Sequence, residues 1–93
     1  MHSEERRKLA ETIRARVKEE IKQCVVPRIQ DLDDLVREWK GCPATSEDVL
    51  LSDAFHAFLH FLSDTDIRLR DPVFAHTNRE AMLELADKLE SSN

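Results

Sequence analysis

Asp53, His56 and His60 are the side chains whose types and spacing could carry chemistry in this sequence. If the segment is helical, the i, i+3 and i, i+4 spacings place the carboxylate and both imidazoles within about 60° of one another on one face. Carboxylates and imidazoles are the common protein ligands of zinc and related ions. The pattern therefore raises the possibility of a metal site on one helix.

A complete metal site needs more ligands than this helix offers. The Asp-x-x-His pair resembles the Glu-x-x-His pairs of di-iron helical bundles, which use two such pairs and two further carboxylates. At a rise of about 1.5 Å per residue, Asp53 and His60 are roughly 10 Å apart along the axis, so one ion could take two of the three side chains. His76 or a second chain would have to complete the site. We therefore prefer a polar strip that faces water, with a metal-binding or redox helical bundle as the alternative.

The sequence lacks the other patterns that carry catalysis or bind phosphates. Its single glycine excludes the glycine-rich loops that hold nucleotide phosphates. Ser52 stands four residues before His56, but no orienting carboxylate or oxyanion site accompanies the pair. We predict a protein that is not an enzyme, with no catalytic residue, no cofactor and no bound metal.

The two histidines lie in the most apolar segment of the chain. Ten of the fourteen residues from Val49 to Leu62 are apolar, and they cover roughly 200° of a helical wheel. Such a width is typical of a helix packed from two sides, and a partner chain could supply one of them. We predict a core helix over residues 46–63, capped by Thr45 or Ser46.

A long amphipathic helix precedes the core helix. Apolar residues at helical spacing form one stripe, which comprises Leu9, Ile13, Val17, Ile21, Cys24 and Val25. Pro27 should interrupt the helix, yet the stripe continues in phase to Trp39. We therefore favour one helix over residues 3–40 kinked at Pro27, with two separate helices as the alternative. Gly41 and Pro43 end it.

The C-terminal part contains weaker helix signals. Asp71 and Pro72 suit the N-cap and first position of a short helix over 71–76. A capping box, Thr77 to Glu80, begins a helix over 77–90. The residues predicted to pack this region onto the core are Ile67, Leu69, Val73 and Phe74. The sequence thus predicts one all-α domain over residues 1–93, a small bundle with a long N-terminal helix kinked or broken at Pro27, a core helix, a short turn of helix and a C-terminal helix.

Composition and charge limit the partners. The 93 residues carry a net charge of −5, and residues 41–93 alone carry −6. This sign is wrong for a domain that binds nucleic acid mainly through phosphates. No run of about 18 apolar residues could cross a membrane, and the charged amino terminus lacks an apolar signal core. We expect a cytoplasmic protein without nucleic-acid or membrane partners.

The length of the first helix favours self-association. From Ser3 to Lys40 it would be about 56 Å long, against a radius of gyration near 12 Å for a compact domain of this size. Three shorter segments could not cover its stripe, so a second copy would. We predict a non-enzymatic protein–protein interaction module, a homodimer that also engages an unidentified protein, with an acidic regulator or inhibitor of a basic partner as its specific form. The predicted interface residues are Ile13, Val17, Phe58 and Leu83.

Overall fold

The computed structural model describes residues 3–23, 26–41, 43 and 47–91. Five helices and no strand lie within these ranges, namely α1 (Ser3–Lys22), α2 (Ile29–Lys40), α3 (Val49–Ser63), α4 (Thr65–Arg70) and α5 (Pro72–Ser91). The predicted all-α fold is confirmed. Thr45, Ser46 and both cysteines fall outside the described residues.

The chain is broken, not kinked, at Pro27. Residues 26–28 are not helical, and Arg28 has the extended backbone of an N-cap, with φ −75° and ψ 156°. The backbone N–H of Arg28 donates to the Asp31 carboxylate over 3.1 Å, which begins α2 as a new helix. Proline removes a backbone donor and disfavours helical geometry in the residue before it, so two helices replace the preferred single one.

The C-terminal region is also organised differently from the prediction. Thr77 to Glu80 lies inside α5, so the two helices predicted over 71–76 and 77–90 are one helix. Its true N-cap is Asp71, whose Oδ1 accepts from the backbone N–H groups of Val73 (3.1 Å) and Phe74 (3.0 Å). Pro72 occupies the first helical position, as predicted. The preceding residues form the separate short helix α4.

Helices α1 and α5 pack along each other in antiparallel directions. Arg14 of α1 contacts Asp87 and Glu90 near the end of α5, whereas Glu20 reaches Arg79 in its first half. Both helices have 20 residues, and the stripe residues Leu9, Ile13 and Val17 of α1 are buried, whereas Ile21 is exposed. The part of the stripe from Leu9 to Val17 is thus covered within one chain and needs no second copy. The molecule's longest dimension is 39 Å.

Helix α3 is the central element of the core. Its buried side chains are Leu51, Ala54, Phe55, Phe58, Phe61 and Leu62. Trp39 of α2 lies against Phe55, with ring centroids 5.7 Å apart. Both sides of α3 are thus covered by helices of the same chain. Among the described helices, none is long and apolar enough to cross a lipid bilayer.

Asp48 is the N-cap of α3, so this helix begins at Val49 and not at residue 46, and its cap is neither Thr45 nor Ser46. Its Oδ1 accepts from the backbone N–H of Leu51 over 3.2 Å. Arg6 of α1 donates to both oxygens of the same carboxylate, from Nε over 2.6 Å and from Nη2 over 2.9 Å. This bidentate pair ties the start of α1 to the start of α3.

Candidate functional site

The polar strip of α3 faces solvent, as predicted. Asp53, His56 and His60 are all exposed. The Nε2 atoms of the two histidines are 3.0 Å apart, and their rings meet edge to face with centroids 4.5 Å apart. Within the described ranges no three or more His, Cys, Asp or Glu side chains converge as metal ligands, so the structure pairs the histidines without Asp53 or His76.

A groove of about 640 Å³ lies between α1 and α2. Its apolar floor comprises Leu32, Leu35, Phe58 and Leu62. Residues 26–28, which precede α2, also line the groove. The groove is open to solvent because the break at Pro27 separates α2 from α1. Spacing alone could not reveal this feature, since a continuous helix would have no groove there.

Charged side chains of both signs border the groove, and we call them the rim. Arg16 and Glu19 contribute from α1, and Arg28 and Asp31 from the start of α2. Arg28 donates from Nη2 to Asp31 over 3.3 Å, and this hydrogen bond lowers the pKa of the Asp31 carboxyl below its usual value. The rim charges sum to zero although the whole chain is acidic.

Two exposed apolar residues lie beside the groove, and we call them the apolar edge. Val26 lines the groove and is 50% exposed, while Ile29 follows the rim residue Arg28 and is 79% exposed. An aliphatic side chain this exposed does not gain most of the roughly 1.5–3 kcal/mol of hydrophobic free energy that full burial would contribute. Together with the apolar floor, the apolar edge makes this the best-formed candidate for a binding surface.

A buried ionic cluster joins α1, α4 and α5. The side chains of Glu20 and Arg68 are both 0% exposed, and Arg68 donates from Nη2 to Glu20 over 2.7 Å. Arg79 donates from Nε to the other oxygen of Glu20, also over 2.7 Å. Arg68 further contacts Thr65, Asn78 and the carbonyl of Phe61, and its guanidinium lies 3.6 Å from the centre of the Phe61 ring.

The charge balance of this cluster keeps Glu20 ionised. Burial is the largest single influence and by itself raises the pKa of the Glu20 carboxyl. The hydrogen bonds from Arg68 and Arg79, and then their positive charges, together outweigh burial and hold the pKa below its usual value. The cluster is consequently a buried ion pair that joins three helices, and its burial leaves Arg68 inaccessible to a ligand.

The sequence did not predict this cluster, and the burial predicted for the residues next to it is wrong. The apolar stripe predicts a buried Ile21, but Ile21 is exposed and Glu20 is buried instead. Likewise Ile67 and Leu69 are exposed on either side of the buried Arg68. Val73 is exposed as well, and Phe74 is half-buried. One sequence feature does indicate that Glu20 is buried. It comes three residues after Val17 and therefore lies on the same face of α1 as the apolar stripe.

The predicted interface residues serve the core of a single chain. Ile13, Val17 and Phe58 are buried, and Leu83 is half-buried against the core. Only Phe58 of the four lines the groove. The groove is lined instead by other residues of α1, by α2 and the residues before it, and by Leu62 of α3. Comparisons with protein-family models, with curated proteins and with solved structures find no match.

Proposed function

We propose that this chain is a non-enzymatic protein–protein interaction module that forms a homodimer through the groove between α1 and α2. One observation carries the proposal: an open groove with an apolar floor lies directly beside an exposed apolar edge. Exposed apolar surface of this kind is typical of contact sites between proteins. Val26 and Ile29 of one copy would fill the groove of the other.

The charge of the rim favours a second copy as the occupant. Two acids and two bases border the groove, so a strongly basic or strongly acidic partner gains little from it. In a dimer with twofold symmetry, the acids of one rim can face the bases of the other rim on both sides of the contact. Neutrality also matters for self-association because two chains of net charge −5 repel each other over longer distances.

A twofold arrangement uses the same contact twice. In an isologous dimer, the edge of each copy meets the groove of its partner, so Ile29 is buried in both copies. At about 1.5–3 kcal/mol for each isoleucine, the two side chains together contribute roughly 3–6 kcal/mol to association. The floor residues and Val26 add to this. This contact does not require the core residues Ile13 and Val17 that the sequence suggested.

The proposal also includes the cellular setting and the other partners. A cytoplasmic location fits the low cysteine content, because the two cysteines, Cys24 and Cys42, are too few for the disulfide framework of a small secreted domain. We expect no nucleic-acid or membrane partner, given the net charge of −5. The more specific form of the hypothesis, an acidic regulator or inhibitor of a basic partner, has less support, because two acids of α5, Asp87 and Glu90, pair with Arg14.

Sedimentation velocity over a concentration series tests the proposed dimer. The wild-type chain should sediment with about twice its 10.8 kDa mass at micromolar concentration. Ile29→Asp should raise the dimer dissociation constant at least tenfold, since a carboxylate would replace an apolar side chain in the contact. Val73→Asp is the matched control, because Val73 is 77% exposed on α5 and does not line the groove.

Two results would contradict the proposal. A mass of one chain at every concentration up to about 100 µM would exclude a dimer of the expected strength. Equal weakening by Ile29→Asp and Val73→Asp would show that the contact lies elsewhere. Circular dichroism of both variants at 222 nm should match the wild type, because both positions are exposed and neither contributes to the core.

A further inference from the structure

The two exposed histidines of α3 have a geometry that the dimer does not explain. His56 and His60 do not line the groove, and their Nε2 atoms lie 3.0 Å apart at the surface. In a neutral pair, one ring donates an N–H to the lone pair of the other. The same two nitrogens, each presenting its lone pair, are also the donor set of a chelate.

We propose that His56 and His60 form a bidentate surface site for a divalent transition-metal ion, with copper(II) as the best fit. With metal–nitrogen bonds of about 2.05 Å, two nitrogens 3.0 Å apart subtend an angle of about 94° at the ion. Square-planar and octahedral ions have neighbouring ligands near 90° and so match this spacing. A tetrahedral ion would need nitrogens about 3.3 Å apart at the same bond length.

The angle between the two nitrogens at the ion predicts which metals the site binds most tightly. Copper(II) and nickel(II) favour square-planar or tetragonal sites of nitrogen and oxygen ligands, whereas zinc(II) in proteins is mostly tetrahedral. Copper(II) also binds such ligands most tightly among the first-row divalent ions. The site should therefore prefer copper(II), then nickel(II), then zinc(II). Water completes the coordination, because Asp53 is not brought to the pair.

The position of the pair makes binding dependent on the fold. Helix α3 is fixed in the core through Phe55, Phe58 and Phe61, so the backbone between the histidines is held rigidly. An unfolded chain does not keep residues 56 and 60 within 3 Å of each other. An ion that bridges them consequently binds the folded chain more tightly and raises its melting temperature.

Thermal melts with added CuCl₂, NiCl₂ or ZnCl₂ test the site. The chain should carry His2→Gln, Cys24→Ser and Cys42→Ser, so that neither thiols nor the imidazole beside the amino terminus bind the ion. Copper(II) at ten times its dissociation constant should raise the melting temperature by roughly 5–10 °C. Titration should give one ion per chain, and electron paramagnetic resonance should show two imidazole nitrogens on copper.

Matched variants separate the pair from non-specific binding. His56→Gln and His60→Gln should each abolish the shift, because one remaining imidazole cannot chelate. His76→Gln should keep the full shift, since His76 is an exposed histidine on α5 outside the pair.

Failure of copper to raise the melting temperature, or an equal shift in the His56→Gln variant, would overturn the proposal. A larger shift with zinc than with nickel would overturn the angle argument. The Ile29→Asp variant should bind copper normally, so this test is independent of the dimer.

Discussion

Removing the charge of Glu20 should destabilise the fold more than any exposed substitution. In the Glu20→Gln variant, the amide can accept through one oxygen only, and its NH₂ group faces a guanidinium that also donates. Arg68 is 0% exposed and would be left without its counter-ion. Breaking a buried ion pair from one side costs about 3–5 kcal/mol, because the remaining charge stays buried.

The contacts that remain in the Glu20→Gln variant place the expected loss of unfolding free energy at the lower end of that range. Arg68 keeps hydrogen bonds to Thr65, Asn78 and the carbonyl of Phe61. Arg79 is 24% exposed and can turn towards water. We therefore expect Glu20→Gln to lower the free energy of unfolding by about 3 kcal/mol, a large part of the 5–15 kcal/mol typical of a whole domain.

Urea unfolding followed by circular dichroism and by Trp39 fluorescence measures this cost. Glu11→Gln is the control, since Glu11 is an exposed acid on the same helix and should change stability by no more than about 0.5 kcal/mol. The double variant Glu20→Gln, Arg68→Met should cost less than the sum of the two single changes, because it removes both buried charges. If Glu20→Gln behaves like Glu11→Gln, the cluster is hydrated in solution and the reasoning fails.

Three further measurements test other parts of the fold. The pKa of Glu20 is lowered in the folded chain, so its contribution is present above the unfolded value of about 4.3 and is lost as pH falls through the folded value. The urea midpoint of the wild type should consequently fall more steeply than that of Glu20→Gln between pH 5 and pH 2. Asp48→Ala should cost at least about 1–2 kcal/mol in urea unfolding, because it removes both the N-cap of α3 and the bidentate partner of Arg6, against no more than about 0.5 for the exposed Asp53→Ala. Phe58→Ala should cost about 3–5 kcal/mol by the same measurement, and a loss below 1 kcal/mol would mean that the groove floor is not part of the core.

Local signals in the sequence predicted much of the helical structure. Asp71 and Pro72 begin a helix as expected, and α2 ends at Lys40, directly before Gly41, with the ring of Trp39 in the core. Each of these depends on residues within a few positions, such as a cap, a proline or an apolar stripe. The sequence-based prediction was wrong where two local signals conflicted. At Pro27 the proline indicated a break, but the apolar stripe continued in phase and favoured one helix.

The errors at Glu20 and Arg68 have a tertiary origin. Hydrophobicity favours burying Ile21 over its acidic neighbour, and burying Ile67 and Leu69 over the arginine between them. The structure buries the two charged residues because they meet each other, although 48 positions separate them in the chain. A pairing at that distance has no local signature, so a single sequence could not reveal it. The His56 and His60 spacing was visible, but the distance between their nitrogens was not.

The proposed homodimer predicts a change in the dynamics of α2. This helix is held mainly near its C-terminal end, where Trp39 is buried, while Leu32 and Leu35 are half-buried and Ile29 in its first turn is exposed. Helices α1 and α5, by contrast, pack together along their length. Because amide exchange follows local opening, α2 should exchange faster than α1 and α5 in dilute solution.

Raising the concentration should then protect α2 selectively. If Ile29 and Val26 enter the groove of a second copy, the first turn of α2 becomes buried and its amides should slow at least tenfold, whereas those of α5 should not change. The Ile29→Asp variant at the same high concentration should retain fast exchange, because it cannot make the contact. Equal protection of α2 at low and high concentration would mean that α2 is already held firmly within one chain, and the dimer contact would then have to involve a different surface.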